Sequence, residues 1–376
     1  MMKYAETRLR TSSSNLPLSN LDHKLLAQAL VLVSVSGPLF RGLIIPNSRE
    51  SVLLEDAHKP ILTRIGPLYS ETGTYARSLA LRRRNVAGGR IARGLALGAP
   101  VVGASSAALA SWVTARRITA PGPREQRFLT PWELGISYEE VAFRTKDGLL
   151  LRGWWLPAPQ PKWTVIALHG HRGARHHCVG IGAALWRRGA NVLLFDHRGR
   201  GSSEGDLMSL GYYEVLDALA AIGYSLSRAP EVPLGLIGYS MGASVAVMAA
   251  ARNARARVIV ADSPFASERD LVRYLLRRQI GPLHAPVVAL TEGLLPYDPG
   301  KVEPLQEVAK IAPRASLFVH GLLDKTCDPN GSLRLYEAAG EPKELWLLEE
   351  AGHCDAYFAD REAYCERVDS FFEEHL

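Results

Sequence analysis

Beyond about residue 130 the chain alternates short apolar runs with stretches of helical length. The runs at 163–168, 191–195, 234–237, 258–261, 315–319 and 343–348 each read as a strand. Strands apolar on both faces, joined by helical crossovers such as those near 177–188 and 211–227, predict a mostly parallel sheet covered on both sides. Ahead of them, two runs flanking Asp147-Gly148 predict a hairpin closed by an Asp-Gly turn. Residues 271–278 have an amphipathic pattern, and Pro282, Pro286, Pro296 and Pro299 interrupt the stretch after them. Residues 263–313 are therefore expected to form a modest cap inserted between strands, within an α/β domain spanning 130–376. Leu283, Val287, Val288, Leu290, Leu294 and Leu295 are its apolar residues available to line a pocket.

The strand at 234–237 runs into Gly238-Tyr239-Ser240-Met241-Gly242, and an Ala/Val-rich helical run comes next. In that context G-x-S-x-G predicts a tight strand-to-helix turn that holds a serine oxygen out of the backbone. A serine needs a base and an orienting acid to attack a carbonyl, and in this arrangement they follow in the order Ser, acid, His. Asp324 lies just past the strand at 315–319, and His353 just past the strand at 343–348, at the ends where open α/β sheets carry their functional loops. Ser240 is thus the expected nucleophile, His353 the base and Asp324 the acid that fixes the imidazole tautomer. Asp328 is a rival acid, although Pro329 follows it and it could cap the helix beginning near Ser332.

The strand at 163–168 ends in His169-Gly170-His171-Arg172-Gly173. A loop of this kind can turn a backbone N–H toward that of Met241, so the amides of Met241 and His171, with that of Arg172 next, are the expected oxyanion donors. His169, His171, His176 and His177 invite a zinc reading, but only Cys178 accompanies them at ligand spacing, so no metal is expected. No organic cofactor is implied. His320 and His284 read as loop or cap residues, and Arg198 and Arg200 as structural residues gripping loop carbonyls.

Taken together, Asp147-Gly148, Gly153-Trp154-Trp155-Leu156-Pro157, His169-Gly170, the run from Asp196 to Gly205, Gly238 to Gly242, Asp262-Ser263-Pro264-Phe265, His320-Gly321-Leu322-Leu323-Asp324 and Gly352-His353 resemble the α/β-hydrolase superfamily. Within it they resemble the Bem46-like branch of membrane-associated serine hydrolases. The resemblance covers about two-thirds of the chain and implies a Ser240–His353–Asp324 triad. It also implies cleavage of ester or other acyl bonds through an acyl-enzyme, with a small-molecule acyl substrate. Peptidase or thioesterase activity would use the same constellation, and the reading from another class is a non-catalytic membrane-tethered scaffold. No obligate protein partner is predicted. The oxyanion loop departs mildly from some relatives, which carry an Asn-Ala-Gly-Asn type of run there.

Charge divides the chain. Through Arg127 it holds 18 Lys+Arg against 7 Asp+Glu, and beyond it 26 against 31. The basic excess lies outside the expected core, which disfavours nucleic-acid binding and suggests an anionic surface as partner. Gly94 to Ala115 is uncharged over 22 residues, with arginines on both sides and Trp112 near its end. That length could cross a bilayer, so residues 91–117 are expected to be a single membrane-spanning helix with its flanks, anchoring the enzyme through the N-terminal region. Which side the catalytic domain faces is left open. A run at 25–40 is too short and broken to classify, and residues 1–90 show no periodicity. The four cysteines leave the compartment open; Cys327 and Cys354 follow the acid and the base closely enough to pair if the domain is exported, and four free buried thiols are the simpler reading.

Overall fold

The computed structural model describes residues 103–122 and 129–376. Ala107–Leu376 forms one compact unit. Its centre is an eight-stranded sheet: β1 (Glu139–Arg144), β2 (Leu150–Leu156), β3 (Trp163–Leu168), β4 (Ala190–Phe195), β5 (Leu234–Tyr239), β6 (Ala256–Asp262), β7 (Ala315–Gly321) and β8 (Lys343–Leu348). The order across the sheet is β1-β2-β4-β3-β5-β6-β7-β8. β1 and β2 pair antiparallel, as do β2 and β4, and every later neighbour pairs parallel. This is the α/β-hydrolase fold. The expected hairpin is present: Arg144 faces Leu150 in register, and Gly148 closes the turn at φ 92°, a conformation glycine adopts without penalty.

The two-residue period of the strands separates two cores. Ile166, Leu168, Leu193, Phe195, Leu236, Ile259 and Phe318 face one side of the sheet. Val165, Ala167, Val192, Leu194, Ile237, Val260, Leu317 and Val319 face the other. Every residue of β3, β4 and β7 is buried, so the central strands carry no amphipathic alternation. Helices cover both faces: α1 (residues 103–119), α2 (Val179–Arg187), α3 (Glu214–Arg228), α4 (Met241–Arg252), α5 (Glu268–Ile280), α6 (His284–Leu294), α7 (Asn330–Ala338) and α8 (Arg361–His375). The insertion between β6 and β7 consists chiefly of α5 and α6, which pack on each other.

The expectation of a membrane-spanning helix at residues 91–117 changes here. Among the described residues no helix is long and apolar enough to cross a membrane. The part of that stretch belonging to the compact unit is joined to the hydrolase core: Ala115 and Ile118 are buried, and Ala107 and Ala110 pack against the core. Ser111 Oγ hydrogen-bonds the Ala107 carbonyl at 2.7 Å and lies 3.1 Å from that of Val287 in α6. The physical reason is in the side chains. A run of Gly, Ala and Ser without charge is compatible with lipid, but its small residues also let a helix approach a protein surface closely. Residues 1–102, including the 25–40 run, the upstream arginines and residues 91–102 of the expected span, lie outside the described residues.

Candidate active site

Ser240 sits between the end of β5 and the start of α4, with φ 53° and ψ −119°. A non-glycine residue rarely adopts that backbone, and the surroundings enforce it: Ser240 N–H donates to the Asp262 carbonyl at 2.8 Å. The flanking glycines are sterically required. A Cβ on Gly238 would collide with the Gly242 carbonyl, and one on Gly242 with the Leu168 carbonyl. Strand and helix can therefore cross closely only with glycine at both positions.

Across the sheet ends the three sequence-predicted groups come together. His353 Nε2 lies 2.9 Å from Ser240 Oγ, and His353 Nδ1 lies 2.6 Å from Asp324 Oδ2. With the carboxylate ionised, Nδ1 carries the proton and donates it to Asp324, which leaves Nε2 as the acceptor facing the serine. Asp324 is fully buried at its side chain while His353 is about a quarter exposed, so the imidazole opens to the cavity and the carboxylate does not. Burial alone would raise the Asp324 pKa. Hydrogen bonds from His320 and His353, with the Thr326 amide, outweigh it and hold the carboxyl well below the usual carboxylate range. Asp328, the rival acid, accepts from the Asn330 amide at 3.0 Å in the turn that opens α7.

His320, expected to be a loop or cap residue, is buried at the site. Its Nε2 is 3.1 Å from Asp324 Oδ2 and its Nδ1 2.6 Å from Ser332 Oγ. A second set of groups holds the His353 segment from behind. Ser263 Oγ donates to Asp262 Oδ1 at 2.9 Å and accepts the Cys354 amide at 3.0 Å, immediately after His353. Ser263 and Cys354 both lie at positive φ, 54° and 56°. The buried Asp262 also accepts from Tyr364 Oη at 3.0 Å; burial pushes its carboxyl up to about 6 against those hydrogen bonds. Asp262-Ser263 stands at the end of a strand and belongs to the motifs of the resemblance, but neither signal gave it this part.

On the oxyanion side, Met241 and His171 border the cavity beside Ser240, as does Gly170. As the first residue of α4, Met241 has an N–H with no partner within its helix. Gly170 accepts the Gly173 amide at 2.9 Å, closing the loop into a turn against the serine. The histidines of this loop serve its backbone. His169 Nδ1 donates to Gly170 O at 2.8 Å and its Nε2 accepts the His197 amide at 3.0 Å; burial drives its pKa far down, so the ring stays neutral. His171 Nε2 donates to Ile118 O in α1 at 2.8 Å, and burial lowers its pKa to about 4.

Asp324, Cys327 and His353 each bring one potential metal-ligating atom within 4.8 Å of the others. That donor set suits a metal poorly. The carboxylate already accepts four hydrogen bonds, and burial holds the Cys327 thiol far above its usual pKa, against the thiolate a metal would need. All four cysteines are free, Cys327 and Cys354 among them. Arg198 grips carboxylates and not carbonyls: Asp217 at 2.7 Å and Asp147 at 2.7 Å, tying the 196–205 loop to α3 and the β1–β2 turn.

A cavity of about 1240 Å³ lies over Ser240 and His353. The cap contributes Leu271, Val272, Leu275 and Leu276, one face of α5. Of the apolar cap residues available to line a pocket or to pack the cap onto the core, Leu283, Leu290 and Leu294 are exposed, while Val287 and Val288 are buried in the core.

The family model described as serine aminopeptidase, S33, matches residues 159–293. YfhR of Escherichia coli O157:H7 is 30% identical over 259 residues, covering 64% of this chain and 81% of that protein. YqkD of Bacillus subtilis is 31% identical over 192 residues, covering 49% and 63%. Among solved structures, the Pyrococcus furiosus esterase Pf2001 superimposes with a TM-score of 0.59 at 26% identity, covering 68% of this chain and 98% of that one.

Proposed function

The chain belongs to the α/β-hydrolase superfamily as a serine hydrolase, and we propose that it cleaves carboxylic esters through an acyl-enzyme on Ser240. The observation that carries the reading is the unbroken relay Ser240 Oγ–His353 Nε2 at 2.9 Å and His353 Nδ1–Asp324 Oδ2 at 2.6 Å. Ser240 Oγ attacks the acyl carbon as its proton passes to His353 Nε2, and the buried Asp324 carboxylate stabilises the imidazolium. The carbonyl oxygen becomes an oxyanion facing the Met241 amide, with the His171 amide as the second donor. The tetrahedral species collapses, the leaving alcohol takes the proton from His353, and the acyl group stays on Ser240. Water then repeats the cycle from the vacated side: His353 takes its proton, the acid leaves, and Ser240 is reprotonated.

Ester hydrolysis is favoured over removal of a peptide's first residue by the cavity lining. Among the described residues it contains no Asp or Glu to receive a free α-ammonium. A non-catalytic scaffold has no evident use for a strained serine within hydrogen-bond reach of a histidine that is itself held by a buried carboxylate. The test is fluorophosphonate labelling and p-nitrophenyl ester turnover of the full chain beside Ser240→Ala. Wild type should label and turn over while the variant does neither. Turnover that survives the substitution would remove Ser240 from the chemistry.

A further inference from the structure

The charged side chains that line this cavity among the described residues all have one sign. Arg117 from α1, Arg172 from the oxyanion loop, Arg187 at the end of α2 and Arg361 at the start of α8 line it, and no acidic residue does so among the described residues. Arg117, Arg172 and Arg361 have no carboxylate partner among those residues. Arg187 donates one N–H to the Leu134 carbonyl at 2.9 Å, and Arg361 lies over the Tyr357 ring. Elsewhere on this unit arginines are commonly paired, as with Arg228–Glu139, Arg252–Glu307 and Arg367–Glu344. The cavity thus combines an apolar wall from α5, Leu210 and Phe265 with guanidinium groups that lack counter-charges among the described residues, in a volume above the range of about 300–1,000 Å³ usual for small-molecule pockets.

Resting on the serine-hydrolase reading, we propose that the substrate is an anionic amphiphile: a long-chain acyl ester or thioester whose leaving group carries phosphate. The acyl chain lies along the apolar wall of α5. The phosphate is bound by the arginine set, whose planar forks match its oxygens in pairs. Several arginines around one cavity suit a dianion better than a single carboxylate. The reaction needs no co-reactant beyond water: the acyl C–O or C–S bond breaks, water supplies the hydroxyl of the released fatty acid, and the phosphate-bearing alcohol or thiol leaves with the proton.

The test compares oleoyl lysophosphatidate with oleoylglycerol, which share the acyl ester and differ by the phosphate, on full-length wild-type protein in neutral detergent. Oleoyl-coenzyme A forms a third arm. Preference for lysophosphatidate identifies a lipid leaving group, and preference for the thioester a soluble one; either keeps the anionic class. We expect kcat/KM at low salt to favour a phosphate-bearing substrate by about tenfold or more, the effect of one or two charge-assisted hydrogen bonds. The preference should shrink near 1 M salt, where the Debye length is about 3 Å. Arg187→Ala with Arg361→Ala should raise KM for the phosphate substrate more than for oleoylglycerol, and the paired Lys variants, which keep the charge but lose the fork, should recover the preference in part. Equal kcat/KM for oleoylglycerol and both anionic substrates, in wild type whose Ser240 labels with fluorophosphonate, would overturn the inference. Absence of both labelling and turnover would instead defeat the serine-hydrolase reading.

Discussion

Replacing Asp324 by Asn exchanges one oxygen of the relay for an NH2 and should nearly abolish turnover. In the native site Oδ1 accepts the Thr326 and Cys327 amides at 2.7 and 2.9 Å, and Oδ2 accepts from His353 and His320 at 2.6 and 3.1 Å. An asparagine there has no freedom to choose its orientation. Its carbonyl must take the Oδ1 position, because an NH2 placed there would face two N–H donors. The NH2 then points at both imidazoles, and His353 Nδ1 must become an acceptor. The ring proton moves to Nε2, so the nitrogen facing Ser240 Oγ becomes a donor and can no longer take the serine proton. The negative charge that would stabilise the imidazolium is lost as well. An equivalent tautomer reversal in a Ser-His-Asp site costs about 10⁴-fold in kcat, or roughly 5.4 kcal/mol of barrier. The assay is kcat on a p-nitrophenyl ester at pH 8, with Asp328→Asn in parallel; Asp328 meets only the turn amides of α7, so its variant should stay within about twofold of wild type. The Asp324→Asn protein is isosteric with wild type and should remain folded by circular dichroism. Activity of Asp324→Asn within tenfold of wild type, or a larger loss in Asp328→Asn, would refute the assignment of the acid.

Ser263→Ala removes the acceptor of the Cys354 amide and should lower kcat by about tenfold to a hundredfold, as the base loses its fixed position, with KM little changed. A parallel rise in KM with unchanged kcat would show that the Asp262–Ser263 buttress does not act through His353. Glu268, buried at the start of α5, accepts from Tyr297 Oη at 2.8 Å, and Oε2 has no hydrogen-bond partner. Burial, reinforced by Glu214 and Glu292, pushes its pKa up to about 8, so the native state prefers the neutral acid. The stability this group contributes is complete below the unfolded carboxyl pKa near 4.3 and falls as pH rises toward about 8. Glu268→Gln should therefore lie within about 1 kcal/mol of wild type in urea denaturation at pH 5 and exceed it at pH 9 by a few kcal/mol. Equal midpoints at both pH values would mean that Glu268 ionises in the fold without cost.

The order of the chain was sufficient for the sheet and the main site residues. Apolar runs buried on both faces can be read locally, because a strand inside a parallel sheet needs no more than continuous Val, Ile, Leu and Ala. Ser240, Asp324 and His353 could be read because each follows such a run, and Gly238 and Gly242 because a tight crossing excludes any Cβ. What the sequence could not decide was which long-range neighbour each side chain meets. His320 and Ser263 belong to recognisable motifs, but their contacts appear only when folding brings His320 against Asp324 and Ser263 against the Cys354 amide, 91 residues away. The uncharged stretch before residue 116 has the composition both of a lipid-facing helix and of a closely packed one. Only the tertiary structure, by burying Ala115 and joining the carbonyl of Ile118 just beyond it to the His171 ring, placed the end of this stretch, at Thr114, on the wall of the cavity. Likewise the four arginines lie scattered from residue 117 to residue 361, and their common charge acquires meaning only where the fold gathers them around one space.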